Sequence, residues 1–283
     1  MRKHIQGIDH VVIAASSMDA VAKTYGQLGF TLTPRGYHSM GSENHCVMFE
    51  DDYFELLTVP RPHPATRYFQ SFVEDGGDGL CALALMTDDA SGFHDELNRS
   101  NIGSGSPLDF SRPVQLPEGT RDARFRITQV DLESTPAGRV FACQHFTRDV
   151  VWRSEYTHHS NGVIGLASVT VITDQVKLLA SAYGQVFDRD CAPSSLFTPG
   201  LQIDTGNVPL HFTSEAAFNT CYPGLTLANR PNAYYGAIGF SVKSLTPLRA
   251  ILQKNGISFV DISPTTLGIS GQYCHGVTLL FHL

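Results

Sequence analysis

Two side chains stand out as chemically active groups in apolar surroundings: His10 in GIDHVVIA and Glu55 in DDYFELLTV. Both runs read as strands, being short, apolar and bounded by Gly, Asp or Pro. Alternate residues of a strand face opposite sides, so His10 shares a face with Val12, and Glu55 shares one with Tyr53 and Leu57. With a helix covering Val11 and Ile13, His10 looks into the concave side of a curved sheet. Glu55 is a lone carboxylate among apolar neighbours, and a charge placed there needs a partner. Further on, TRDARFRIT alternates Ala123, Phe125 and Ile127 with Asp122, Arg124, Arg126 and Thr128. If helices cover the convex side, Arg124 and Arg126 point into the cavity, where two guanidiniums suit a substrate carboxylate or phosphate. A solvated sheet edge explains the same alternation. Asn44, with His45 beside it, either contacts substrate or forms a turn.

These residues sit in a unit that repeats. The segment Gly7 to Phe30 falls on a similar segment from Gly79 at an offset of 72, and on another from Gly165 at an offset of 158. In the second match Tyr25-Gly26-Gln27 meets Tyr183-Gly184-Gln185, and a fourth copy starts near Tyr235. Each copy opens with a buried strand followed by a helix. In the first, Ser16, Ser17 or Asp19 can cap the helix, and Val21, Tyr25 and Leu28 recur at helical spacing. Three shorter strands follow, around Thr31 to Arg35, Asn44 to Phe49 and Tyr53 to Val59, so the unit is βαβββ. Boundaries fall at Pro60 to Asp78, Arg148 to Gly162 and Glu215 to Asn232, which predicts two domains, residues 1–150 and 160–283, of two units each.

The 283 residues are 42% hydrophobic and 17% charged, enough to bury a core. A net charge of −7 argues against a nucleic-acid partner. No apolar run is long enough to span a bilayer, and MRKHIQGIDH carries no signal-peptide core, so no membrane role and a cytoplasmic location are expected. Cysteines 46, 81, 143, 191, 221 and 274 are scattered and read as buried free thiols. His63, His158 and His159 read as surface residues.

The DHVVI strand with its His, the βαβββ repeat and the YFELL strand resemble the vicinal oxygen chelate superfamily, in its glyoxalase-like branch. The resemblance implies an α+β fold of four βαβββ modules forming two half-open barrels, the glyoxalase, bleomycin-resistance and extradiol-dioxygenase fold. It also implies a divalent metal held by a first-strand His and a fourth-strand Glu, which marks His10 and Glu55 as a ligand pair. The positions matching His10 in the other units are Ala82, Ser168 and Ala237, none of them a good ligand. In GRVFACQHFTRD, aligning Thr58 with Thr147 sets Gln144 opposite Glu55 and His145 one step on; a slip of one residue decides which faces the cavity. His145 would complete a two-His, one-carboxylate set suited to iron(II), manganese, zinc or nickel, with Gln144 as its competitor and otherwise a substrate contact. The corresponding strands of the second half, VPLHFTS and VTLLFHL, offer His211 and His282 but no Glu, so that half reads as structural or substrate-shaping.

The activity implied is that of a metal-dependent lyase or isomerase acting on a small, oxygen-rich, anionic substrate. The metal would chelate two neighbouring substrate oxygens, and Glu55 would double as base. Two other readings stand beside it: a metal-free protein that sequesters a small molecule such as a drug, and an extradiol-type dioxygenase. The extradiol enzymes carry their ligands in the C-terminal pair of modules, unlike this chain. The halves could pair within one chain or across a homodimer.

Overall fold

The computed structural model describes residues 1–230 and 233–283, which form two eight-stranded sheets. The first contains β1 (Gly7–Ala14), β2 (Gly36–Tyr37), β3 (Glu43–Met48), β4 (Tyr53–Thr58), β5 (Gly79–Met86), β6 (Gly103–Leu116), β7 (Gly119–Val130) and β8 (Arg139–His145). The second contains β9 (Val163–Ile172), β10 (Ala192–Pro193), β11 (Leu201–Ile203), β12 (Leu210–Thr213), β13 (Tyr234–Val242), β14 (Val260–Ser263), β15 (Thr266–Ile269) and β16 (Thr278–His282). The strand orders are equivalent: β2-β3-β4-β1-β5-β8-β7-β6 and β10-β11-β12-β9-β13-β16-β15-β14. Four βαβββ modules are thus paired two by two. Within each pair the two opening strands run antiparallel side by side, Val11 opposite Leu83 and Val169 opposite Ile238.

Each opening strand is followed by the predicted helix: α1 (Met18–Gln27), α3 (Ala90–Arg99), α5 (Val176–Phe187) and α7 (Leu245–Lys254). The crossovers between modules carry α2 (Arg67–Gly76) and α6 (Glu215–Cys221), and α4 (Arg148–Val151) follows the first sheet. Ser17 is the residue that caps α1, its side chain accepting from the Ala20 amide, and Val21, Tyr25 and Leu28 are fully buried. The second strand of the first module is shorter and later than expected. Pro34 has no N–H to donate, so the backbone of the segment around Thr31 to Arg35 meets β3 chiefly at Thr33, whose amide donates to the Cys46 carbonyl at 2.9 Å.

The convex faces of both sheets and their helices share one apolar core. Phe240 of β13 packs against Phe30, Phe49 and Phe54 of the first half with ring centres 5.5, 6.1 and 5.6 Å apart. His159, expected at the surface, bridges the halves: Nδ1 accepts from the Thr31 amide at 3.0 Å and Nε2 donates to the Met48 carbonyl at 2.9 Å. The concave sides differ. In the second half Phe197, Phe218 and Tyr222, with Leu225 and Leu280, fill the barrel. In the first half α2 lays Phe69 and Val73 against the rim, and a cavity remains beneath them. Among the described residues no helix is long and apolar enough to cross a membrane.

Candidate metal centre

β1 presents His10 to the concave side of the first sheet. The β1–β5 ladder skips Asp9 between Ile8 and His10, and this bulge keeps the two consecutive side chains within reach of each other. Asp9 Oδ2 lies 2.6 Å from His10 Nδ1 and 3.0 Å from His145 Nε2, so one carboxylate oxygen accepts from two imidazoles. Asp9 is completely buried. Burial alone would raise its carboxyl, but the charge of His145 and the N–H donors of His10 and His145 outweigh that and hold it well below the usual carboxylate range. The His10 ring is stacked on Tyr53 at 4.3 Å and meets the edge of Phe141 at 5.8 Å. With Nδ1 tied to Asp9, its Nε2 is turned to the cavity, 4.0 Å from Glu55 Oε2.

Glu55 arrives from β4, parallel to β1, with Val12 as its ladder partner. Asn44 of β3 donates its amide to Glu55 Oε1 at 2.6 Å, leaving Oε2 without a hydrogen-bond partner among the described residues. The third donor is one that the sequence reading did not single out. His38 follows the short β2, in a turn closed by its own amide donating to the Ser42 carbonyl at 2.9 Å. Gly41 makes that turn possible: its φ is +83°, and a Cβ there would lie 2.6 Å from the Arg61 carbonyl oxygen. His38 Nδ1 is 2.8 Å from Ser42 Oγ, and Nε2 lies 4.0 Å from Glu55 Oε1. Burial pushes the His38 imidazole down to about 4 against the pull of the Glu55 carboxylate, so at neutral pH it is the uncharged form that binds metals.

His10 Nε2, His38 Nε2 and Glu55 Oε2 therefore line one cavity, and none of the three has a hydrogen-bond partner among the described residues. Each imidazole is held by its other nitrogen, the arrangement in which second-layer groups orient metal ligands. A second group, Asp9, Cys143 and His145, brings its ligand atoms within 4.8 Å of one another and could also hold an ion. There the Asp9 oxygen is engaged by both imidazoles, and burial raises the Cys143 thiol well above its ordinary range, so it stays protonated. The partly exposed Arg148 brackets this group, its guanidinium 3.9 Å from Asp9 Oδ1 and 3.4 Å above the Trp152 ring.

The remaining sequence candidates are placed as follows. His145 lies behind His10, joined to it through Asp9, with Trp152 and Phe125 edge-on at 5.2 and 5.0 Å. Gln144 is on the helix side, accepting from the Ala90 amide and donating to the Asp88 carbonyl at the start of α3. The strand ladder corrects the alignment behind it. Ala84, the counterpart of Val12, pairs with Phe141, so Phe141 stands where Glu55 does, three residues before Gln144. Thr147 is outside β8 altogether, at the start of α4. By the same ladders the counterparts of Glu55 in the second half are His211 and Leu280. His211 is fully buried, with Ser194 Oγ 2.9 Å from its Nδ1 and Phe197 against its ring.

Arg124 and Arg126 lie outside the cavity. β7 turns Ala123, Phe125 and Ile127 inward, because the barrel interior is itself apolar, and its arginines fall on the outer face, where Arg126 reaches Ser91 of α3. Arg126 pairs with Asp109 at 2.6 Å, and both guanidiniums approach the exposed Phe146 ring, at 5.8 and 5.6 Å. Asn44 lines the cavity as expected of a substrate contact, although its amide is committed to Glu55.

Paired βαβββ modules closing a half-open barrel define the vicinal oxygen chelate class. Within it the chain belongs to the glyoxalase-like domain family, whose sequence model matches residues 8–187. A hypothetical protein from Staphylococcus aureus superposes with a TM-score of 0.69 at 13% identity, over 97% of this chain and 98% of that one. A mutant 4-hydroxymandelate synthase from Streptomyces coelicolor gives 0.60 at 12% identity, over 98% and 92%. A fusion of a xylose isomerase-like TIM barrel with 4-hydroxyphenylpyruvate dioxygenase gives 0.62 at 12%, over 98% of this chain and 49% of that one. These likenesses concern the fold. No curated protein sequence matches the chain.

Proposed function

We propose that the chain is a divalent-metal-dependent enzyme of the glyoxalase-like type, carrying out isomerase or lyase chemistry on a small oxygen-rich substrate, with the ion held by His10, His38 and Glu55. The observation that carries this reading is that His10 Nε2 and His38 Nε2, both without a partner among the described residues and each fixed from behind, lie 4.0 Å from the two oxygens of one Glu55 carboxylate. A bound divalent ion supplies Lewis-acid polarisation of substrate oxygens. Asp9 and Ser42 hold the imidazoles in orientation. Asn44 fixes Oε1 of Glu55 and so orients Oε2, the oxygen that would hold the ion and that, once released from it, would take a proton from a substrate carbon. Tyr53 and Phe141 flank His10 and keep water from its ring.

The same donor set favours a second reading, since two histidines and a carboxylate also serve non-haem iron(II) oxygenases. The test is metal analysis of untagged protein, followed by a screen of diols, hydroxy acids and hemithioacetals with oxygen uptake recorded in parallel. About one bound equivalent of iron, manganese, zinc or nickel, with turnover independent of oxygen, supports the first reading. Turnover that consumes oxygen transfers support to the second. Absence of metal after reconstitution overturns both and leaves a binding protein.

A further inference from the structure

Arg112 is a buried cation with no anion paired to it. It is 6% exposed and lines the same cavity as His10, His38 and Glu55, yet among the described residues no carboxylate comes within ion-pairing distance and no hydrogen-bond acceptor engages its guanidinium. Buried guanidiniums are normally paired, because an uncompensated charge in an apolar setting is costly. The other guanidinium lining the cavity, Arg139, is occupied: it lies over the Tyr68 ring at 4.5 Å and donates to Gln129.

The fold goes out of its way to admit Arg112. The two edge strands of the first sheet meet where the Ser39 amide donates to the Ser111 carbonyl at 3.1 Å, and Arg112 enters the barrel at this seam. It passes beneath Gly36, where a Cβ would fall 3.1 Å from Arg112 Cδ and 3.2 Å from Nη1 and would also collide with the Asn44 side-chain oxygen. A side chain at Gly36 would displace the Asn44 oxygen and crowd Arg112. Around the guanidinium the walls are apolar and aromatic, with Phe110 stacked on Phe125 at 5.0 Å and edge-on to His38 at 5.6 Å.

We infer that Arg112 recognises a carboxylate on the substrate, whose apolar body lies against Phe110 and Phe125. This rests on the cavity of the first half being the substrate site. The planar guanidinium binds a carboxylate through two parallel N–H donors, and the neighbouring carboxylate Glu55 is already held by Asn44. Arg112 is then a specificity-determining residue: it selects acids over neutral analogues of the same shape.

The experiment compares phenylacetate with phenylacetamide by calorimetric titration of wild type, Arg112→Met and Arg112→Lys, each stripped of metal and again loaded with cobalt(II). Stripping prevents the acid from being captured by the ion alone. The expected result is at least about tenfold preference for the acid in stripped wild type, lost in Arg112→Met and partly retained in Arg112→Lys. The ligand-free Arg112→Met protein should also melt a few degrees higher than wild type, since an unpaired buried charge has been removed, whereas a structural arginine would lower it. Equal binding of acid and amide, no binding of either, or undiminished acid preference in Arg112→Met overturns the inference. Cobalt content, measured on the same samples, reports separately on the metal centre: wild type that binds no cobalt but prefers the acid loses the metal reading and keeps Arg112.

Discussion

Asp9→Asn isolates what one buried carboxylate does for the proposed metal centre. Asp9 Oδ2 receives N–H donors from His10 at 2.6 Å and from His145 at 3.0 Å. An asparagine of nearly the same shape has one carbonyl oxygen and one amide that can only donate. With the carbonyl oxygen in the place of Oδ2, both imidazoles keep their acceptor, now neutral, and the amide takes the place of Oδ1 on the side of Arg148. The His10 ring stays where Tyr53 and Phe141 pack it, but its Nε2 becomes a poorer electron donor. Loss of such a partner weakens metal binding by about 10- to 100-fold. Because Asn retains both hydrogen bonds and loses only the charge, the lower end applies, about tenfold or ~1.4 kcal/mol. Asp9→Leu removes both acceptors and belongs at the upper end, about 100-fold or more. Competition titration with cobalt(II) against a chelator of known affinity reads both values. Asp9→Asn and Asp9→Leu proteins that stay folded and bind cobalt(II) as tightly as wild type would refute the reasoning.

Other consequences can be measured without knowing the substrate. Burial pushes the Asp52 carboxyl up to about 7, while the Leu166 amide of the second half donates to it at 3.1 Å. Between about pH 4 and 7 the folded protein holds a proton that the unfolded chain releases, so stability falls as pH rises, by on the order of 2–4 kcal/mol. Asp52→Asn should flatten that slope and be the more stable protein at pH 8 in urea unfolding; parallel pH profiles would contradict it. Phe240→Ala empties the junction of the two halves, where the ring is fully buried, and should cost about 3–5 kcal/mol in the same assay. A cost below about 1 kcal/mol would mean the halves do not share this core. Gln144→Ala should lose about 1 kcal/mol through the start of α3, and Arg126→Ala should leave stability nearly unchanged, since its ion pair is exposed. Neither should change cobalt affinity, and a change in either would return that residue to the cavity.

The repeat made the architecture legible, because each module writes the same strand and helix pattern, and ladder and cap residues such as Val11, Leu83 and Ser17 take the places it implies. His10 and Glu55 were legible as polar interruptions of apolar strands. His38 was not: β2 has only two residues, too few for any periodicity, and the turn after it is set by Gly41. Arg124 and Arg126 misled because alternation reveals two faces without saying which one turns inward, and the inside of this barrel is apolar. The alternation of Phe110, Arg112 and Val114 did carry a signal, a charge on the apolar face of an edge strand, obscured by Ser111 and Pro113 between them. Gln144 misled because the Thr58 to Thr147 match was a coincidence of composition, which only the pairing of Ala84 with Phe141 exposes.

The most direct test of the metal centre compares His38→Ala with Cys143→Ala. His38 belongs to the proposed set with His10 and Glu55, and Cys143 to the group with Asp9 and His145, the two being linked by the contact of His10 with Asp9. Cobalt(II) bound per chain is measured by elemental analysis after gel filtration, with circular dichroism confirming the fold. The account predicts that Cys143→Ala keeps about one equivalent, as wild type does, and that His38→Ala retains almost none. Full cobalt in His38→Ala with loss in Cys143→Ala would move the ion to Asp9, Cys143 and His145 and contradict the account.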